Sequence, residues 1–374
     1  KTLFFLNMGE DKIRMIANVA RIPHYSDDMG LTWSSSTGVT SNGDFWSFTQ
    51  SFESIEYQGA KRIYCLSKRN YGAQIFLYSS DDNGETYQQI NSMGEQDLRR
   101  VRLLKPTNSN QILIVKPYDP QNTVLSIHEL HPETNTLELL VVTDLETNLT
   151  NRMILLADFA AQDTLLYAFD KNLSFYSSKD MGRSWEFLAN SSVDPWEVGC
   201  FMSPSDREQV FLGAVEAYRL KDNAFQMVNN WWEYYDNVES AIHADIMSFE
   251  EFESPDGRIF QLIGNHGGMS ISYDYLKTLQ NIGMEGLNVA QYYDVRTDPI
   301  DPNTVYAGSQ DQGFQRTRNI NAAGPVDFQQ VISGDYGHIT FSNDGEGMWI
   351  VYPGGSVSFY NDPRNGYRVG SYTI

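Results

Sequence analysis

Apolar residues in this chain come in short runs that alternate with polar positions and break at Gly, Pro, Asn or Asp. A period of two predicts half-buried antiparallel strands, and no amphipathic helical pattern of twelve or more residues stands out. The clearest unit is YYDVRTDPIDPNTVYAG, residues 292–308: one strand, a Pro/Asp turn, and a second apolar run. VGCFMSPSDREQVFLGA (198–214) and RVRLLKPTNSNQILIVK (100–116) repeat the design. The pattern predicts an all-β chain built from one repeated unit.

Three segments align without gaps on S-x-D-x-G-x-[TS]-aromatic. The first runs from Ser26 through Asp28 and Gly30 to Trp33, the second from Ser80 through Asp82 and Gly84 to Tyr87. The third runs from Ser178 through Asp180 and Gly182 to Trp185. A fourth copy keeps Ser272, Asp274 and Thr278 but has Leu276 and Leu279 where the others have Gly and the aromatic. The chemistry is that of a hairpin turn: a carboxylate accepts backbone N–H groups across the loop, the Gly takes φ > 0, and an aromatic restarts the strand. These residues are therefore expected to maintain the fold.

The copies start at residues 26, 80, 178 and 272, with gaps of 54, 98 and 94. The two wide gaps are near twice 48, which predicts degenerate hairpins midway, and turn signals lie around His131 and Asp222. Two more follow around Asn319 and Asp362, giving eight hairpins at ~48-residue intervals. That period suits a four-stranded blade, so the spacing predicts one β-propeller of seven or eight blades over residues 1–374.

Charge narrows the partners. With 27 basic and 48 acidic residues the net charge is −21, which repels nucleic acid and anionic lipid surfaces. Cations, basic proteins and neutral glycans stay compatible. No apolar run is long enough to span a membrane, so no membrane insertion is expected. Cys65 and Cys200, 135 residues apart in apolar runs, read as buried free thiols, with no disulfide framework or CxxC metal signature.

The hairpin motif resembles the Asp-box (BNR) repeats of sialidases, sortilin-type receptors and two-propeller xyloglucanases. A second stretch strengthens the likeness: AIHADIMSF, LIGNHGGMSISYD, VAQYYDVRTDPIDPNTVYAGSQDQGF and SGDYG occur in that order within residues 241–337. It is similar to the sortilin/xyloglucanase-like secreted propellers, in which H-x-D-x-H, G-N-D-G-G, Q-D-N-G and G-D-G elements follow one another. Met247 replaces the second His of the first element, and His266 replaces the Asp of the second. The resemblance implies that Gln310, Asp311 and Asp335 gather with His243, Asp245 and His266 on loops of neighbouring blades. Such carboxylates and imidazoles suit a cation, and a structural ion such as calcium is compatible with them.

Catalytic readings find less support. Arg21-Ile22-Pro23 echoes the sialidase F-R-I-P element, but Ala20 replaces its aromatic and the Arg lies five residues before a hairpin motif. Xyloglucanase chemistry needs carboxylates roughly 6–10 Å apart across a sugar chain, drawn from two propellers, where this length supplies one. There is no G-x-S-x-G nucleophile motif. The segment Trp231-Trp232-Glu233-Tyr234-Tyr235-Asp236 is the most unusual composition in the chain. Exposed, such aromatics stack on sugar faces or anchor a protein; otherwise they form an outer strand or inter-blade packing. The reading at this point is a non-catalytic binding or scaffold propeller of an exported or cell-surface protein, taking a protein partner or a glycan. The alternatives are a glycoside hydrolase needing a second domain and a component of a bacterial secretion or surface-motility apparatus. The chain is also read as a part of a longer secreted polypeptide, after signal-peptide removal.

Overall fold

The computed structural model describes residues 3–373 except 10–11, 20–21, 40–42, 45–51, 70–73, 96–100, 107–108, 119–123, 144, 146–154, 161–162, 171, 197–198, 284–290, 319, 321–323, 325 and 366–367. The described strands form eight antiparallel sheets, seven of which follow the order of the sequence. Seven have four strands and cover residues 3–35, 102–142, 155–190, 201–227, 246–281, 292–332 and 339–373. The sheet of residues 43–95 has five, because the short strands Gly43–Asp44 and Phe52–Tyr57 both pair with Ala60–Arg69. The fold is all-β, a β-propeller of four-stranded blades.

The eight expected hairpins each fall between the last two strands of their sheets. Asn319, at the centre of the seventh, lies outside the described residues. The strand–turn–strand segments also pair as read: Tyr292–Thr297 with Val305–Ser309, Phe201–Met202 with Val210–Gly213, and Arg102–Leu104 with Ile112–Pro117.

The chain divides into two compact units. The first comprises Lys1–Val228 with Ile246–Gln261, and the second Asn229–Asp245 with Leu262–Ile374. In the first unit the core is a series of apolar layers, each shared by two consecutive sheets. Strand Ala60–Arg69 shows how. Ile63 and Cys65 pack with Leu6 and Ile16 of the preceding sheet, whereas Tyr64 and Leu66 pack with Leu103, Ile112 and Ile114 of the following one. Alternate side chains of one strand thus serve opposite layers, and both faces need apolar residues. That is why central strands such as Ile112–Pro117 are apolar runs and not strict alternations. Full burial of each such side chain contributes roughly 1.5–3 kcal/mol. In the second unit, Tyr306, Phe314, Tyr336, Ile339, Met348, Ile350 and Tyr360 form an equivalent, more aromatic layer.

The hairpin motif is one hydrogen-bonded device repeated four times. In the first copy Ser26 Oγ donates to Asp28 Oδ1 (2.8 Å) and accepts from the Gly30 amide (2.8 Å). Asp28 Oδ1 accepts the Thr32 amide (2.8 Å), and Oδ2 accepts the Thr32 hydroxyl (2.5 Å). Asp82 with Ser80 and Thr86, and Asp180 with Ser178 and Ser184, make the same set. Two consecutive residues are left-handed in each turn, for example Met29 at φ 59° and Gly30 at φ 86°. The fourth copy keeps the bonds between Asp274, Ser272 and Thr278 and holds Leu276 at φ 60°. A buried leucine there carries a backbone cost that Gly avoids.

Two expectations change. The Trp231–Asp236 segment is not an outer strand: Glu233–Asp236 form a single helical turn. Both cysteines are free, but only Cys65 is buried; Cys200 is half-buried and its thiol donates to the Trp196 carbonyl at 3.3 Å. Arg21 and Ala20, the residues of the sialidase comparison, lie outside the described residues.

Candidate functional site

Every residue singled out as a candidate ligand contact belongs to the second unit. The helical turn Glu233–Asp236 starts the site. Glu233 accepts from the Asn230 side chain at 2.8 Å, and the Asn237 amide closes the turn on the Glu233 carbonyl. One turn presents four aromatics in different directions. Tyr234 is buried, its ring edge-on to His243 at 4.7 Å. Trp231 stands edge-on to Trp232 (5.9 Å) and to Tyr235 (6.1 Å). Both tryptophans remain open, at 40% and 52% exposure.

Tyr235 connects this aromatic group to the charged one. Its hydroxyl lies 3.2 Å from His243 Nε2 and 3.2 Å from the Asp311 carbonyl oxygen. His243 is almost fully buried, with Nδ1 3.2 Å from the Ala244 carbonyl, and burial pushes its pKa down, so it is held neutral. A Cβ on Gly267 would lie 2.4 Å from His243 Cβ, so the glycine that follows His266 is required by the imidazole packed on it. Burial, and then the charge of Asp311, raises the Tyr235 phenol to about 12.

Beyond Tyr235 lies the polar centre. His266 Nδ1 is 3.0 Å from Asp245 Oδ2 and 2.7 Å from Asp311 Oδ2. These three donor atoms all lie within 4.8 Å of one another. Asp245 and Asp311 are both left-handed, at φ 64° and 58°, a conformation Asp tolerates better than most residues at a cost of about 1 kcal/mol or more. Asp311 is fixed from behind, because Asp335 Oδ1 accepts its amide at 3.0 Å. Burial is the main cause that raises Asp245 above the ordinary carboxylate range, and Asp311 adds to it. Among the described residues no lysine or arginine is ion-paired with Asp245, Asp311 or Asp335.

The structure therefore brings together Tyr235, His243, Asp245, His266, Asp311 and Asp335, with Trp231, Trp232 and Tyr234 on the adjoining turn. Met247, at the position of the missing second His, is 42% exposed on Ile246–Glu253. Tyr293, exposed on the neighbouring strand, was not singled out from the sequence; its phenol is raised by desolvation and then by the charges of Asp335 and Asp311. The only signal for it was the tyrosine pair opening the strand Tyr292–Thr297. Among the described residues, no Ser or Cys nucleophile with a base takes part in the centre. What the arrangement offers is a polar centre of carboxylates beside aromatic rings, with the His266 imidazole among the acids and the His243 imidazole buried behind Tyr235.

No protein-family model matches this sequence, and no curated protein matches it. Among solved structures, it is similar to YCF48 bound to D1 peptide, at 13% identity over 84% of this chain and 93% of that one (TM-score 0.40). It is also similar to the GH74 xyloglucanase from Xanthomonas campestris, at 12% identity over 100% of this chain and 58% of that one (TM-score 0.42). A computationally designed protein, Ika8, matches at 11% identity over 100% of this chain and 97% of that one (TM-score 0.41). At these scores the likenesses bear on no residue of the site.

Proposed function

We propose that this chain is a binding propeller of the Asp-box, sortilin/xyloglucanase-like kind, carried by an exported or cell-surface protein. Its site holds a protein partner or a glycan and performs no bond cleavage. The observation that carries this reading is the contact of Tyr235 with both His243 and Asp311, which puts two exposed tryptophans beside an anionic centre. Flat aromatic faces next to hydrogen-bonding acids suit sugar rings and the anchor side chains of proteins alike. The net charge of −21 adds attraction for a basic partner. As a domain, residues 1–374 act as one propeller within a secreted polypeptide.

The hydrolase alternative is less well supported by the centre. Glycosidic cleavage uses carboxyl groups held about 5 Å or more apart on either side of a sugar. Asp245 and Asp311 instead converge on one imidazole nitrogen. A role in a secretion or motility apparatus has no residue behind it.

The test combines a glycan array and a pull-down with a reducing-sugar assay on the same protein. Retention of a partner, weakened at least tenfold by Trp231→Ala with Trp232→Ala and with no sugar released, is the expected result. Sugar release that vanishes in Asp311→Asn would overturn it and make the protein a hydrolase.

A further inference from the structure

Beyond that binding role, we propose that Asp245, His266 and Asp311 form a binding site for a single transition-metal dication of the Mn2+ or Zn2+ class. The argument begins with spacing. Such ions hold N and O donors at about 2.0–2.2 Å, so neighbouring donors of an octahedral or tetrahedral shell sit roughly 3–3.5 Å apart. The His266 Nδ1 atom is 3.0 Å from one carboxylate oxygen and 2.7 Å from the other. Both nitrogen–oxygen separations match that spacing to within a few tenths of an ångström, and drawing together the two carboxylate oxygens, which lie within 4.8 Å of each other, completes one face of a coordination shell. The ion would take the place of the present contacts between Nδ1 and the two carboxylates.

Charge points the same way. Two carboxylates are drawn within 4.8 Å of each other, and Asp335 lies behind one of them. Their side chains are only 24% and 17% exposed, and no described lysine or arginine offsets them. Two carboxylates this close in a partly desolvated place favour a dication between them. The supports around the donors are those of a metal centre. Asp335 accepts the Asp311 amide and the Tyr235 hydroxyl meets the Asp311 carbonyl, so the backbone that carries one donor is held from two sides. The imidazole nitrogen decides the class of ion. Calcium and magnesium prefer oxygen-only shells, whereas one imidazole with two carboxylates suits Mn2+ or Zn2+.

The experiment uses the whole chain, stripped with a chelator and titrated with Mn2+ while the free ion is followed by electron paramagnetic resonance. One Mn2+ per chain is expected, displaced by Zn2+ and not by equimolar Mg2+. Asp245→Asn and Asp311→Asn should each weaken uptake at least tenfold, whereas Asp256→Asn, on a hairpin of the other unit, should not change it. Because a variant can fail by misfolding, a second readout uses the unaltered protein: electron spin-echo modulation should show one imidazole nitrogen coupled to bound Mn2+. Absence of stoichiometric uptake, absence of that coupling, or uptake unchanged in both variants would each overturn the site. Partner retention is measured in chelator as well, so failure of the metal site and failure of the binding role register separately.

Discussion

A single carboxylate carries most of the work of each hairpin motif, and its protonation state can be read as stability. Asp28 is held down to about 2, first by the Thr32 hydroxyl, then by the Thr32 amide and the Ser26 hydroxyl. Asp180 is held down to about 2 by the equivalent Ser184 and Ser178 groups. A carboxylate whose folded pKa lies below its unfolded value near 3.8 stabilises the fold fully above that value. The contribution is then lost as pH falls through about 2. The expected outcome is a urea midpoint that is flat from neutral pH to about pH 4 and declines below it. In Asp28→Asn with Asp180→Asn the midpoint should be lower at neutral pH and the acid decline shallower, which urea unfolding at a series of pH values checks. These roles were legible residue by residue, because a Ser, Asp, Gly and Thr at fixed offsets specify a turn by local hydrogen bonds alone. The fourth copy shows the limit of that logic. Leu276 takes a left-handed backbone that its residue type disfavours, held by the same Ser272 and Asp274 bonds.

At the scale of elements, a link between sheets appears that no motif announced. Arg14, on Ile13–Val19, pairs with Asp27 at 2.6 Å in its own sheet's hairpin. It also reaches Glu85 (2.9 Å) and the Asn83 carbonyl (3.3 Å) in the next sheet's hairpin. Arg62, on Ala60–Arg69, repeats this: it pairs with Asp81 and donates to the Pro132 carbonyl at 2.6 Å in the hairpin after. Each guanidinium also covers a tyrosine ring, Tyr25 at 4.4 Å and Tyr57 at 3.9 Å. Both motif copies concerned have Asp at the second position, where the third has Lys179. Sequence spacing hides the device because the Arg lies on a different strand from its Asp, and periodicity reports faces but not cross-strand partners. Arg62→Met keeps the aliphatic stem but loses the fork, and Arg14→Met likewise. With the acids half exposed, each is expected to cost roughly 1–2 kcal/mol, measured by denaturant unfolding, and 1 M salt should recover little of it because the arginines themselves are largely buried. The helical turn Glu233–Asp236 was equally illegible. Four residues are too few to show a helical period, and its aromatics suited a strand as well.

At the scale of the whole chain, stability is distributed as a series of layers, whereas the candidate site draws on residues of one unit only. The blade count was legible as seven or eight because a repeat of ~48 residues recurs along the chain, so the blades show even where the motif has decayed. The charged part of the site was legible only as positions implied by resemblance, and the aromatic part only as an unusual composition at 231–236. Its connection through Tyr235 depends on a turn whose conformation the sequence does not declare. In a fold where each layer depends on its two sheets, damage in the first unit should lower global stability without reshaping a centre built from residues 229–245 and 262–374. Gly84 provides the test, since its φ is +90° and an added Cβ would lie 2.7 Å from Ile16 Cδ1 across a layer. Gly84→Ala is expected to cost roughly 1–3 kcal/mol, from the left-handed backbone and the crowded methyl together. Thermal unfolding should show that loss. Titration of the same folded protein with Mn2+ should return unaltered stoichiometry and an affinity within twofold of the parent. If affinity instead fell in step with the melting temperature, the centre would be shaped by the whole series of layers, and the assignment of its geometry to the second unit would have to be abandoned.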